Sequence, residues 1–293
     1  MGLIQIVRWL VRASIFANVA ALGAGSKIGD ALSVLRTREQ LLRAFVAMQL
    51  VWPLCTVLMV RALPLSPPVK IALVALSISP LPPLLPRKAS GAREAEGYAV
   101  GLLTAMALVS LVWIPIVLEL LERVFSVPLQ LTPWLIGVIL VETIALPLGA
   151  GMLARRLWPR FAERLVRPAT AVGGVLLLLG ALLIVVRAHA ALWQLLGDGT
   201  LLTILVWTTL GLAVGHWLGG PGLRRRAVLA VATSSRHPAV AIAIAQQNFP
   251  EQKLAPAAVL LALLANAFVT GVYVAWIKRR VAVLPVAPER HAH

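Results

Sequence analysis

Cysteine, acidic residues and charge in general are scarce in this chain. Its 293 residues include 11 Asp and Glu against 27 Lys and Arg, and 13% are charged, compared with roughly 25% in a soluble domain. The single cysteine, Cys55, excludes an intrachain disulfide and a multi-cysteine metal site. The sequence also contains no Gly-x-Ser-x-Gly, no His-x-x-x-His and no Gly-rich phosphate loop. We therefore predict that it is not an enzyme and holds no resident metal or cofactor.

Apolar residues are abundant instead. They make up 60% of the chain, and the mean hydropathy is +0.89, which is typical of a polytopic membrane protein. The net charge of +16 is divided among short basic clusters between apolar segments, as in Arg155–Arg167, Arg224–Arg226 and Lys278–Arg280. This distribution is the positive-inside pattern, and we expect no nucleic-acid partner.

The apolar segments predict an all-α protein with about nine spans. The predicted spans are Leu3–Ala24, Leu41–Leu63, Pro67–Ser79, Tyr98–Leu121, Trp134–Leu153, Pro168–Val186, Leu201–Leu218, Ala227–Phe249 and Leu254–Ile277. The basic clusters fall on alternate connections and predict a cytoplasmic C-terminus and an N-terminus on the outside of the inner (plasma) membrane. We expect one transmembrane domain, residues 1–293, ending in a disordered tail, residues 281–293.

Two of the predicted spans are interrupted. The first break is Ser79–Pro86, with four prolines in eight residues, and the second is Thr233–Pro238, where an Arg and a His precede a proline inside an apolar run. Irregular backbone at membrane depth is tolerated only in protein or beside a cavity. Broken helices at matching places of two halves point to a transporter site built by inverted repeats, here about residues 1–121 and 134–280.

Chain order and motifs resemble the bile acid:sodium symporter superfamily. The resemblance rests on Ala20-Ala21-Leu22-Gly23, the first break, Leu146-Pro147-Leu148-Gly149, the second break, and Ala239–Ala245 leading to Phe249. It implies two five-helix inverted repeats, a panel and a core domain, and unwound fourth and ninth family helices that cross. The family's first helix is missing from this pattern, in agreement with nine spans.

The sequence departs from the family where the family binds sodium. Sodium-dependent members place Gly, Ser and Asn at the first break, where this chain has Pro82, Leu85 and Pro86. At the second break they carry a Glu and a Gln-Asn pair, at positions near Ala232 and the Arg236-His237 pair. A hard cation needs oxygen ligands, which these side chains do not offer. We therefore expect a carrier without the usual sodium sites, with proton coupling left open.

The candidate substrate site is centred on Arg236. A guanidinium has five donors and keeps its charge, so it would neutralise an anionic substrate or an internal carboxylate; the alternative is a structural ion pair. Glu142 is the clearest acid inside a span; it would pair with Arg236, carry a proton, or only fix its helix. His237 is either a titrating or a structural group. The remaining candidates share hydroxyl groups or a position at a break: Thr233, Ser234, Ser235, Ser79 and Pro82.

These residues predict a secondary transporter that moves a small organic anion by alternating access. Two alternatives stay open: a proton-coupled carrier like cation/proton antiporters that uses Glu142, and a non-transporting sensor or assembly subunit. The sequence leaves the substrate's identity, the coupling ion, the direction of transport and the oligomeric state undetermined.

Overall fold

A computed structural model describes residues 3–26, 28–82, 93–126, 129, 133–197 and 199–283, and every regular element within them is helical. The α-helices, in chain order, are α1 Leu3–Gly25, α2 Ile28–Arg36, α3 Arg38–Phe45, α4 Trp52–Ala62, α5 Pro67–Ile78, α6 Arg93–Phe125, α7 Pro133–Leu140, α8 Leu146–Leu157, α9 Pro159–Leu195, α10 Thr200–Leu218, α11 Leu223–Ser234, α12 Pro238–Asn248 and α13 Ala255–Val283. Two π-helical segments, Val46–Val51 and Val141–Ala145, join α3 to α4 and α7 to α8.

Seven helical segments in the described part are long and apolar enough to cross a membrane, and α5 and residues 9–25 of α1 are shorter apolar helices. The multi-pass architecture is therefore confirmed, whereas the count of nine and the inverted repeats stay predictions. The expected start of a span at Pro168 is wrong, because α9 runs from Pro159 through Pro168 to Leu195. Residues 281–283, expected in the tail, belong to α13, and the rest of the tail lies outside the described residues.

One group of helices consists of α1, α7, α8 and α9. Helix α1 packs along both α8 and α9, and its close approach to α8 depends on two glycines. A Cβ atom at Gly23 would collide with the backbone of Leu148, and one at Gly151 would collide with the backbone of Ala20. Small residues at such contacts let membrane helices pack tightly, so this group forms a closely fitted layer.

A second group contains both interrupted spans. Helix α5 contacts α4, α12 and α13, while α11 packs against α10, α13 and α6. Its centre is apolar and fully buried, with Trp52 of α4 packed against Trp207 of α10 at 4.8 Å between ring centroids. Contacts of α12 and α6 with α7, and of α13 with α9, join the two groups.

Proline chemistry explains where the interrupted helices end. Helix α5 stops at Ile78, and Ser79, which precedes Pro80, is extended at φ −66° and ψ 153°. Helix α11 stops at Ser234, and His237, which precedes Pro238, is extended at φ −73° and ψ 108°. Pro238 then opens α12, where its missing N–H is not needed. Both predicted breaks are present; residues 83–92, which include Leu85 and Pro86, lie outside the described part.

Candidate functional site

The two breaks touch each other directly. The backbone N–H of His237 donates a hydrogen bond to the carbonyl of Pro80 at 2.9 Å, although the two residues are far apart in the chain. The guanidinium of Arg236 donates a hydrogen bond to the carbonyl of Ser79, the residue before Pro80, at 3.0 Å. We call this meeting point of Ser79–Pro82 with Ser235–His237 the crossing. Its contacts satisfy backbone groups that the ends of α5 and α12 leave without helical partners.

A third segment, the π-helical turn before α4, also reaches the crossing. In this turn the N–H of Trp52 bonds to the carbonyl of Ala47, five residues back. The next such bond would join residue 53 to Met48, but Pro53 has no N–H. The carbonyl of Met48 is consequently free to accept a hydrogen bond from Arg236, and the carbonyl of Gln49 accepts one from Trp113 Nε1 at 3.2 Å.

Arg236 is held entirely by backbone carbonyls. Its side chain is 1% exposed, and Nε donates to Thr233 at 3.1 Å, Nη1 to Ser79 at 3.0 Å and Nη2 to Met48. Two of these acceptors lie at the C-terminal ends of α5 and α11, where helix dipoles place partial negative charge. The guanidinium thus links three separate segments and spreads its charge over oriented dipoles.

No described carboxylate lies within ion-pair distance of Arg236, so the pairing of Arg236 with Glu142 that the sequence suggested is not formed. Glu142 lies in the π-helical segment Val141–Ala145, and its nearest cationic partner is Arg12 of α1, with 3.8 Å between Oε2 and Nη2. The side chain of Glu142 is 57% exposed at the protein surface, and that of Arg12 is 63% exposed. The pair therefore lies on the outer surface of the first helix group and not at the crossing.

His237 joins the crossing to the first helix group. Its Nε2 lies 3.0 Å from Oγ1 of Thr143, which lies 2.6 Å from the carbonyl of Ile139. The Thr143 hydroxyl has one proton and gives it to that carbonyl, which can only accept, so Nε2–H of His237 must be the donor to Thr143. Nδ1 of the same ring is buried and has no partner among the described residues.

The hydroxyl candidates divide into two kinds. Ser79, Thr233 and Ser234 donate to carbonyls of their own helices, so their side chains serve the helix ends. Ser235 instead donates to Oδ1 of Asn266 on α13 at 3.1 Å, and Nδ2 of Asn266 donates to the carbonyl of Ser234 at 3.0 Å. Pro82 is half-buried at the end of the described first break. The structure therefore brings Arg236, His237, Ser235 and Ser79 together and leaves Glu142 on a different face.

Four residues of this region were missed from the sequence: Arg12, Gln49, Thr143 and Asn266. Arg12 and Asn266 had a usable signal, since each is a polar residue inside an apolar helix. Gln49 is 1% exposed, and neither atom of its amide has a partner among the described residues. Gln49 had the same signal as Arg12 and Asn266, whereas only the tertiary structure places Thr143 beside His237.

The sodium bile acid symporter family model matches residues 14–195, more than half of the chain. The chain belongs to the sodium bile acid symporter family. It is accordingly a multi-pass membrane protein of a family of secondary transporters, not enzymes. The match covers the first break and both π-helical segments, and it ends before the second break and Arg236. No curated protein gives a match to the chain.

Proposed function

We propose that this member of the family carries a small organic anion across the inner membrane by alternating access, with Arg236 in place of sodium at the crossing. The observation that carries the proposal is the set of three carbonyls around the guanidinium, those of Met48, Ser79 and Thr233. Carbonyl oxygens at helix C-termini attract cations, and here the cation is part of the chain.

Electrostatics oppose a second cation at this position. A sodium ion about 4 Å from the guanidinium would be repelled by about 4 kcal/mol at an effective dielectric constant of about 20. It would also have to displace hydrogen bonds from carbonyls that are already engaged. Binding of sodium at the crossing is therefore unfavourable, and the closed crossing does not require it.

The same charge supports an anionic substrate. No described carboxylate neutralises Arg236. Three of its five N–H groups are bonded to described residues, and the other two are left for a further acceptor. Arg236 is 1% exposed, so a substrate cannot touch the guanidinium in this conformation. The positive charge of Arg236 therefore acts on the substrate through the residues that line the crossing. Ser235 and the His237–Thr143 pair supply polar groups to this lining.

The two helix groups supply the moving parts of the proposal. The group of α1, α7, α8 and α9 takes the part of the panel in this proposal, and the group with both breaks takes the part of the core. The bond from His237 to Thr143 connects the core to the panel. We call the carbonyls of Met48, Ser79 and Thr233 that hold Arg236 the carbonyl clamp. A movement of one helix group against the other would break the bond from His237 to Thr143 and leave the carbonyl clamp within the core intact.

Thermal unfolding of the purified protein tests the coupling ion. Sodium chloride is compared with potassium chloride at constant ionic strength, because a ligand of the native state raises its stability by RT ln(1 + [L]/Kd). We expect no sodium-specific shift in the wild type and in Arg164→Gln, which changes an exposed arginine of α9. A saturable sodium-specific shift in the wild type would contradict the proposal.

A second titration tests the substrate class. Carboxylates and sulfonates without a long alkyl chain are each compared with their neutral amides, and we expect stabilisation by one or more anions only. This stabilisation should be lost in Arg236→Gln and kept in Arg164→Gln. Stabilisation by neutral amides as strong as that by the anions would exclude recognition of negative charge.

A further inference from the structure

A cavity of about 410 Å³ lies along one face of α5. The α5 residues that line it recur at helical spacing: Pro67, Lys70, Ile71, Val74, Ala75 and Ile78. Its other walls come from the end of α4, the end of α6 and the end of α12. None of Met48, Ser79, Thr233 and Arg236 lines the cavity, so it is separate from the crossing.

The cavity has an apolar body and one cationic end. Its lining is aliphatic or aromatic apart from Lys70 and Gln252, and its volume falls in the range of roughly 300–1,000 Å³ that small-molecule sites occupy. Lys70 lies in the first turn of α5, where the helix dipole adds positive potential, and this turn contains no acidic residue.

Acidic groups on the neighbouring elements do not neutralise Lys70. No described carboxylate lies within ion-pair distance of it. Glu119 pairs with Arg123 on α6, and neither Glu122 nor Glu251 lines the cavity. The ammonium therefore offers an unneutralised positive charge beside an apolar chamber.

We propose that this cavity binds an amphiphile with one anionic head group and an unbranched apolar chain. The head group contacts Lys70 and the amide of Gln252, and the chain lies along α5 towards Ile78. The helix rises about 12 Å over the steps from Lys70 to Ile78, a length that suits a medium-chain carboxylate. An occupant would pack against α5 and α12 together, the two half-helices that lead away from the crossing.

Isothermal titration of the purified protein with potassium octanoate tests the proposal. Octanol and octylammonium serve as the neutral and cationic analogues of equal chain length. We expect octanoate to bind about fivefold more tightly than octanol, as for a partly exposed ion pair, and octylammonium to bind most weakly. Equal binding of all three would overturn the proposal, because it would reduce the interaction to partitioning into the micelle.

Two variants locate the binding. Lys70→Gln should lower the affinity for octanoate to that for octanol, and Lys70→Arg should restore it. Lys253→Gln, which removes an exposed lysine that does not line the cavity, is the matched control and should bind like the wild type. Octanoate affinity that is the same in Lys70→Gln as in the wild type would refute the assignment of the head group.

A filling variant tests the apolar chamber. Val74→Phe should reduce the binding of both octanoate and octanol at least tenfold, because it occupies the space for the chain. Leu58→Phe, at an exposed position of α4 outside the cavity, should leave both affinities unchanged. If Val74→Phe binds like Leu58→Phe, the chain does not enter the cavity and the proposal fails.

The head group and chain could belong to a free carboxylate or to an anionic membrane lipid. Competition on delipidated protein separates the two sources. Displacement of octanoate by phosphatidylglycerol and not by phosphatidylethanolamine supports the proposed site and identifies an anionic lipid as its occupant. Displacement by neither lipid supports the proposed site and identifies a free carboxylate as its occupant. Displacement by both lipids alike would refute the requirement for negative charge. Arg236→Gln should leave octanoate binding unchanged, so this site and the proposed function fail separately.

Discussion

The two breaks differ in the hydrogen-bonding groups that they offer. The first contains Pro80 and Pro82, which have no N–H, and presents the carbonyls of Ser79 and Pro80. The second presents donors, namely the guanidinium of Arg236 and the backbone N–H of His237. An acceptor segment therefore faces a donor segment, and the carbonyls of Ser79 and Pro80 and the N–H of His237 find their partners within the chain. The difference explains how a proline-rich break can remain stable at membrane depth.

Removal of the donor side should have the largest effect. Arg236→Met leaves the carbonyls of Met48, Ser79 and Thr233 without this partner, and each unpaired buried group costs about 1–3 kcal/mol. We expect the free energy of unfolding to fall by about 3–5 kcal/mol, measured by thermal unfolding in detergent. Arg236→Lys should lose less, and Arg164→Met on the exposed face of α9 should change it by less than about 0.5 kcal/mol. Wild-type stability of Arg236→Met would show that the clamp is not needed.

Loosening the support behind the second break should have a smaller effect. Asn266→Leu removes the donor to the Ser234 carbonyl and the acceptor for Ser235, and we expect a loss of about 2 kcal/mol. Ser235→Ala should cost about 1 kcal/mol alone and almost nothing in the Asn266→Leu background. A double-mutant cycle of thermal unfolding measures this coupling, and additive losses would mean that the two side chains act independently.

Separating the crossing from the panel should affect transport more than stability. Thr143→Val removes the acceptor for His237 Nε2–H, and the expected loss of stability is about 1 kcal/mol. Because this bond links the two helix groups, we expect a changed transport rate in proteoliposomes. Thr104→Val is the matched control, since the Thr104 hydroxyl bonds only within α6. Equal transport rates for the two variants would argue against a role of the bond in the movement.

The smallest effect on stability is expected at Glu142, which sharpens the choice between the two coupling hypotheses. Its pairing with Arg12 is long and exposed, so Glu142→Gln should change the free energy of unfolding by less than about 0.5 kcal/mol. For an anion carrier without proton coupling, the pH dependence of transport should be the same as in the wild type. Loss of pH dependence in Glu142→Gln would favour the proton-coupled alternative.

Local sequence rules were sufficient to find both breaks. Pro80 and Pro238 determine the backbone of the residues before them, Ser79 and His237, and both are extended in the structure. The same rules failed at Pro168, which was expected to start a helix and lies inside α9. Proline disfavours a helix only from its second turn onward, and packing of α9 against α1 outweighs its local cost.

The partners of Arg236 were less predictable than the break in which it lies. Arg236 was expected to need an anion, because charge at membrane depth suggests a countercharge. The structure supplies oriented carbonyls instead, and one of them is available only because Pro53 follows a π-helical turn. Such a partner depends on the register of a helix far away in the chain, and no spacing of side chains in the sequence reveals it.

The carbonyl clamp on Arg236 also constrains the order in which the protein can be assembled. Arg236 follows Met48 by 188 residues and Ser79 by 157. The first half of the chain is therefore inserted long before the guanidinium that joins its segments has been synthesised. Contacts of such high sequence separation form late, so the crossing closes only when α11 enters the bilayer. A chain that stops before this point therefore lacks the guanidinium that joins the segments of its first half.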